Sequence, residues 1–437
     1  MRSKYKRKVL MSAVMVFVLN IATGSITAQQ VSPEERMIVD HVDKNSAAAI
    51  AFLERSVNTE SPTEDLAGVK ADGMLFMKQF QAIGMKTRWI DMPVASKRAG
   101  HLVAYTSGTR GKRVLLLGHL DTVLRGEKFR REGDRGYGTG IGDMKGGNVI
   151  LLEALRAMHA AGVLKDARIT VLLTGDEEDS CEPVSICRGD MIEAAKNSDV
   201  ALSFEGTVGL TATVGRRGAS SWTIEIEAKT GHSSGIFREN MGYGAIFEAS
   251  RILNEFRTQL AGEQYLTFNP SLILGGTTAE VENAAGTATG KTNVVAARVV
   301  IDGDLRFISE EQKERIRDKM RSIVANNLPG SKAKISFFDG IPAMTPVDGN
   351  FALLARLDQA SKDLGFGPVE ALDPGLRGAG DIAFIAHLVP SLDGIGIGGG
   401  GNSHAKGEYA DLSSMPMLTK RAAILIYRLT KEPTDKK

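Results

Sequence analysis

The chain has 437 residues, more than one compact core usually holds, so two domains are expected. Its apolar fraction of 43% and charged fraction of 24% are ordinary for a soluble globular enzyme. A formal net charge of +2 lacks the basic surplus that nucleic-acid binding needs, so no nucleic-acid partner is expected.

The N-terminus reads MRSKYKRK, then VLMSAVMVFVLNIA, then TGSITAQQ. A basic start, an apolar middle and small residues up to Ala28 make the layout of a secretory signal peptide over residues 1–28. The apolar stretch is short and interrupted by Asn20, which argues against a membrane span; an uncleaved anchor is the alternative. The mature chain is then expected to start near Gln29, to be periplasmic or secreted, and to have no membrane contact after signal cleavage.

Residues 34–83 have a helical pattern broken at NTESPTED, where Thr63 is placed to cap the second helix. VLLLG (114–118), ARITVLLTG (167–175) and VALSF (200–204) are short apolar runs, read as buried strands. Between them lie helical patterns at 146–162 and 190–196. Strands alternating with helices predict parallel β-α-β units. After Val214 the texture changes. SWTIEIEAK (221–229) alternates polar and apolar residues, as a half-exposed antiparallel strand does. A helix (244–260), an irregular Gly/Thr-rich stretch (275–292), the strand NVVAARVVIDGDLRF, an amphipathic helix (EEQKERIRDKMRSIVANN) and the strand KAKISFF follow. Helix and buried-strand texture returns near Phe351, and the last helix spans 411–430. The reading is an α/β catalytic domain in two parts, 29–213 and 343–437, interrupted by an α+β domain over 214–342.

The acids and imidazoles sit at strand ends, where open α/β sheets bind ligands. VLLLG runs into His119 and Asp121, TVLLTG into Asp176, Glu177 and Glu178, and VALSF into Glu205. GYGTGIGDMKGG sets Asp143 before a helix, and a glycine-rich run leads to His404. Singly, each has an ordinary reading: a helix cap for Asp143, a solvated loop for Glu177 and Glu178. Together they would be costly to bury unpaired, and a cation accounts for their convergence. Two His, one Asp and two Glu suit two zinc-like ions sharing a carboxylate, with one acid left over as a base. Asp121 is placed to accept the second imidazole N–H of His119. Cys181 and Cys187 can pair or remain thiols, since spacing alone does not fix their separation.

GHLDTV (118–123), GIGDMKGG (140–147), TGDEE (174–178), SFEG (203–206), TGHSSG (230–235), KTNVV (291–295), DGDLR (302–306) and GGNSHAKGEYADL (400–412) together resemble the zinc-dependent glutamate carboxypeptidase and aminoacylase family, and within it the carboxypeptidase G-type enzymes. They stand in the family's order and cover most of the mature chain. The resemblance implies a mixed, largely parallel-sheet di-zinc domain with helices on both faces and an inserted α+β lid and dimerisation domain. It implies two zinc ions per subunit, with Co2+ or Mn2+ also suited to the ligands. Asp143 would bridge them, often with a cis peptide after it. His119 and Glu205 would hold one ion, Glu178 and His404 the other. Glu177 would be the general base and Asp121 the orienting acid. His232 would reach a second subunit's site in a homodimer and stabilise the oxyanion, and Asn293 and Arg306 would hold the free carboxylate of the substrate. Without the resemblance, His232 reads as a surface-loop residue and Arg306 as half of a strand-terminal ion pair.

The expected substrate is a peptide or N-acyl amino acid with a free carboxylate. Release of a C-terminal amino acid, with glutamate one candidate, is the first reading. An N-acyl-amino-acid deacylase is the second, and a non-catalytic binding or scaffold protein the third. Residues 179–190 run longer than in a typical relative, and 275–292 are irregular; both bear on substrate choice. GTATGKT (286–292) is one residue short of a phosphate-binding loop and precedes a strand, so a nucleotide site is rejected.

Overall fold

The computed structural model describes residues 31–282 and 285–434, so the expected signal peptide lies outside the described residues. Among those described, no helix is long and apolar enough to cross a membrane. The larger sheet has six strands in the order Lys86–Ile90, His101–Tyr105, Ala167–Thr174, Arg110–His119, Val200–Ser203, Ser391–Leu392. Its first two strands run antiparallel to their neighbours, and the last four are mutually parallel. The three strands read as short apolar runs are the central ones, and alternation explains why. Val114 and Leu116 face one core with Ile169, Val171 and Leu173; Leu115 and Leu117 face another with Leu172 and Ala201. A strand covered on both faces cannot carry a polar side.

Helices Pro33–Asn58, Gly146–Ala160 and Met415–Leu429 pack against one another on the first face, and Val184–Lys196 covers the second. Gly147 lets helix Gly146–Ala160 approach the end of strand Val200–Ser203, because a Cβ there would lie 1.8 Å from the Phe204 carbonyl oxygen. Capping differs from expectation at one helix. Asp65, not Thr63, caps Leu66–Ala82 by accepting from the Gly68 N–H. Thr63 lies too far upstream to reach the first turn, and its hydroxyl donates instead to Asp121 at 2.8 Å. Asp65→Ala is expected to cost about 1 kcal/mol, read as a lower Tm.

The second sheet has the order Thr267–Gly276, Arg298–Phe307, Gly218–Ala228, Ser331–Asp339, all antiparallel. Helices Gly244–Leu260 and Glu310–Ala325 cover one face and share its core. Trp222 is fully buried there; it meets Phe256 edge-on at 5.9 Å and donates its indole N–H to the Asp304 carbonyl at 2.9 Å. Trp222→Ala should cost about 3–5 kcal/mol, visible in denaturant unfolding. The Gly/Thr-rich stretch is more regular than its composition suggests, forming the hairpin Thr278–Glu282 and Ala285–Thr289. Cys181 and Cys187 are joined in a disulfide with Cα atoms 6.0 Å apart.

Candidate metal centre

Parallel strands end on one rim, and the acids and imidazoles that follow them converge there. His119 closes strand Arg110–His119 and is buried. Its Nε2 lies 3.2 Å from Asp143 Oδ1 and 3.7 Å from Glu205 Oε1. On the other side, His404 Nε2 lies 3.1 Å from Asp143 Oδ2 and 3.1 Å from Glu178 Oε2. Asp143 therefore presents one oxygen to each imidazole.

The loop that aims Asp143 is held from afar. Gly140 has φ 75°, a left-handed turn that suits glycine. The buried carboxylate of Glu408 accepts the N–H groups of Gly140, Gly142 and Asp143 at 2.7, 2.8 and 3.0 Å. A cis peptide follows Asp143. Behind it, Lys145 is buried and donates to the Ser56 and Thr59 carbonyls at 2.8 and 2.6 Å. His404 sits at φ 63°, a conformation that costs a non-glycine residue about 1–3 kcal/mol and persists where the surrounding loop fixes it.

Asp121 has no exposed surface. Its carboxylate accepts the Thr63 hydroxyl at 2.8 Å and the N–H groups of Glu177 and Glu178, each at 3.1 Å. His119 Nδ1 is 3.0 Å from the Asp121 backbone carbonyl and 3.4 Å from its carboxylate. The ring is thus oriented chiefly through the carbonyl, while the carboxylate fixes the Glu177–Glu178 turn.

The electrostatics describe a site crowded with carboxylates. Burial, reinforced by the charges of Asp381, Glu205 and Glu178, pushes Glu177 well above the usual range. Burial and then the neighbouring Asp143 and Asp121 push Glu178 up to about 8. Burial and Asp143 push Glu205 up to about 7. The hydrogen bond to Asp143 raises His404 to about 9. Burial works against ionisation of Asp143, but hydrogen bonds from His119 and His404 hold it far below its ordinary value. Protons thus do here what cations would do better. Glu178 Oε1 is also buried with no hydrogen-bond partner. Two sets of donor atoms, His119–Asp143–Glu205 and Asp143–Glu178–His404, each lie within 4.8 Å of one another and share Asp143. This donor set fits two divalent ions with a bridging carboxylate.

The structure brings His119, Asp121, Asp143, Glu177, Glu178, Glu205 and His404 together. It does not bring His232, Asn293 or Arg306 into hydrogen-bonding contact with them among the described residues. His232 is exposed, its Nδ1 2.9 Å from the Ser234 hydroxyl, and it bridges to Val294 beside the exposed Asn293. Arg306 is half-exposed on strand Arg298–Phe307 and pairs with Asp304 at 3.1 Å.

Two arginines were not anticipated. Arg216 is buried, pairs with the buried Asp393 and donates to the Gly378 and Ala379 carbonyls at 3.1 and 2.9 Å. Those carbonyls follow Arg377, whose Nε is buried without a hydrogen-bond partner. Burial and then the Arg216 charge pull the Arg377 pKa down, opposed by Asp393, Glu205 and Asp143, so its guanidinium lies in the field of the cluster. The available signal was an arginine inside the glycine-rich loop PGLRGAGD (374–381).

The profile of peptidase family M20/M25/M40 matches residues 115–428. Carboxypeptidase G2 of Pseudomonas sp. (strain RS-16) is 28% identical over 429 residues, which are 95% of this chain and 96% of that protein. A succinyl-diaminopimelate desuccinylase of Cupriavidus pinatubonensis is 28% identical over 267 residues, 55% of this chain and 64% of its own length. Among solved structures, the Bacillus cereus aminopeptidase PepT superposes with a TM-score of 0.69 at 17% identity, covering 88% of this chain and 99% of its own. The YXEP protein of Bacillus subtilis, described as a dinuclear metal-binding peptidase of the M20 family, gives 0.62 at 13% identity, covering 89% and 99%.

Proposed function

We propose that this chain, which belongs to peptidase family M20/M25/M40 and is a hydrolase of the metallopeptidase type, is an exported carboxypeptidase cleaving an amide bond beside a free α-carboxylate. The observation that carries the reading is Asp143, shared by two donor sets with the half-buried Glu177 on the adjoining turn. His119 and Glu205 would hold one ion, Glu178 and His404 the other, and Asp143 both. Zinc suits these donors, as do Co2+ and Mn2+. When bound, the ions polarise the scissile carbonyl and lower the pKa of the attacking water.

The chain's own groups do the rest. Asp121 fixes the backbone of Glu177 and so the point from which its carboxylate reaches into the site. Glu177 takes the proton from the attacking water as the C–O bond forms. It returns that proton to the leaving nitrogen as the C–N bond breaks. His232 would supply a donor to the oxyanion from a second copy, consistent with its exposure and with the exposed aromatic group Phe237, Tyr243 and Phe247 near it.

The free carboxylate of the substrate has two candidate anchors. Arg306 with Asn293 was expected from the sequence. Arg377 is in the field of Glu205 and Asp143 with an unpartnered Nε, which favours it within one chain. Arg377→Ala should raise KM about 10–100-fold with kcat little changed, the loss of one charged hydrogen-bonding group. Unchanged KM there, with a raised KM in Arg306→Ala, would return the anchor to the second sheet.

The substrate class is tested by hydrolysis of a panel of dipeptides, N-acyl amino acids, and benzoyl- and folyl-glutamate conjugates. The carboxypeptidase reading expects chelator-sensitive release of the C-terminal amino acid, with glutamate conjugates favoured. The likeness to a desuccinylase supports a second reading, deacylation of N-acyl amino acids, and preference for short acyl groups would select it.

A further inference from the structure

Arg188 has no assigned part in hydrolysis, yet it is a buried charge bonded to the residue just before the base. It stands in helix Val184–Lys196 and is 1% exposed. Its Nη1 donates to Asp176 Oδ1 at 2.7 Å, and its Nη2 donates to the Asp176 carbonyl at 3.0 Å and the Ser180 hydroxyl at 2.8 Å. Its Nε donates to Asp381 Oδ1 at 2.7 Å. The other oxygen of Asp381 accepts the Thr174 hydroxyl at 2.7 Å. Phe384 covers the guanidinium at 5.4 Å.

Every one of these partners belongs to one of two segments. Thr174, Asp176 and Ser180 flank Glu177 and Glu178 on both sides. Asp381 ends the loop that carries Arg377. The planar fork of Arg188 therefore ties the turn bearing Glu177 to the loop that carries Arg377. The residue before it, Cys187, is bonded to Cys181, three residues past Glu178. The His101 ring, at Nε2, is 2.8 Å from the Cys187 carbonyl, and its Nδ1 accepts the Gly175 N–H at 3.3 Å. The disulfide thus closes the short span between the base turn and the arginine that braces it.

We propose that Arg188, held in place by the Cys181–Cys187 disulfide, is a positioning residue that sets the Glu177 carboxylate against the reacting water and keeps the Arg377 loop in register with it. The inference rests on Glu177 being the base. Arg188 touches no substrate; it acts through backbone placement. An error of about 1 Å in such placement costs about 10²-fold in rate. A lysine at 188 keeps the charge but lacks the fork, so it cannot serve Asp176, Ser180 and Asp381 together.

The test uses the full mature protein loaded with Zn2+. It measures kcat and KM on the best substrate of the panel, with bound zinc counted by mass spectrometry. For Arg188→Lys, kcat should fall about 10²-fold while KM stays within about threefold and both zinc ions remain. Wild-type kcat, or a loss lying wholly in KM or in zinc content, overturns the proposal. Where Arg188→Lys fails to fold, the double variant Cys181→Ala, Cys187→Ala decides. There, a fall of about tenfold in kcat with KM and zinc retained supports the proposal, and wild-type kcat overturns it. Glu177→Gln run beside them separates the two readings. If it remains active, the base assignment fails. If it is inactive while Arg188→Lys is unimpaired, only the positioning role fails.

Discussion

Glu177→Gln is expected to lower kcat by about 10²–10⁴-fold, the range a positioned general base contributes, while two metal ions remain bound. The argument is geometric before it is electrostatic. The Glu177 N–H is fixed by Asp121, and its side chain adjoins His119 and Glu178 in a third set of donor atoms within 4.8 Å. Yet the two sets that share Asp143 are complete without it. Gln preserves size and loses only the capacity to accept a proton. Metal content measured beside kcat separates the roles: loss of an ion would make Glu177 a ligand, and near-normal turnover would remove it from the chemistry.

Removing the metals should have the second large effect. Dialysis against a chelator is expected to abolish turnover, and two equivalents of Zn2+, Co2+ or Mn2+ should restore it. It should also lower the Tm, because a ligand held at 1,000 times its Kd adds about 4 kcal/mol to the native state. The driving force is visible in the site. Without cations, burial holds Glu178, pushed up to about 8, mostly protonated at neutral pH and Glu205, pushed up to about 7, about half so; reloading should therefore release protons measurable by weakly buffered titration. Ligand variants sharpen the test. Asp143→Ala removes a donor from both sets and should lose both ions, whereas Glu205→Ala should lose one. Equal stoichiometry in the two variants would rule out the bridging arrangement.

Much of this was legible in the sequence because strand ends are. Apolar runs 114–118, 167–175 and 200–204 read as strands covered on both faces, and the charged residues after them then emerge on one rim. The antiparallel strands Lys86–Ile90 and His101–Tyr105 went unread: the first is half-exposed, with no clean alternation, and the second begins with a buried His101 that hydrogen-bonds rather than packs. Thr63 looked like a cap because its hydroxyl is suited to one; only the fold shows Asp121 claiming it. Arg216 and Arg377 could not be paired from sequence, since 160 intervening residues carry no local sign of their meeting. The second sheet was readable from alternation, but its hairpin 278–289 was hidden by glycine and threonine. The placing of His232, Asn293 and Arg306 relative to the Asp143 cluster was never a matter of local pattern, and among the described residues of one chain they make no hydrogen bond to it.

The grip of Glu408 on the Asp143 loop has a consequence for how the enzyme comes into being. His404 and Glu408 are made well after His119, Asp143 and Glu205. A growing chain can lay down the central strands and still have neither the second imidazole nor the carboxylate that steadies Gly140, Gly142 and Asp143. The same late segment carries helix Met415–Leu429, which completes the core against Pro33–Asn58 and Gly146–Ala160, so the sheet's cover and the acid cluster are finished together.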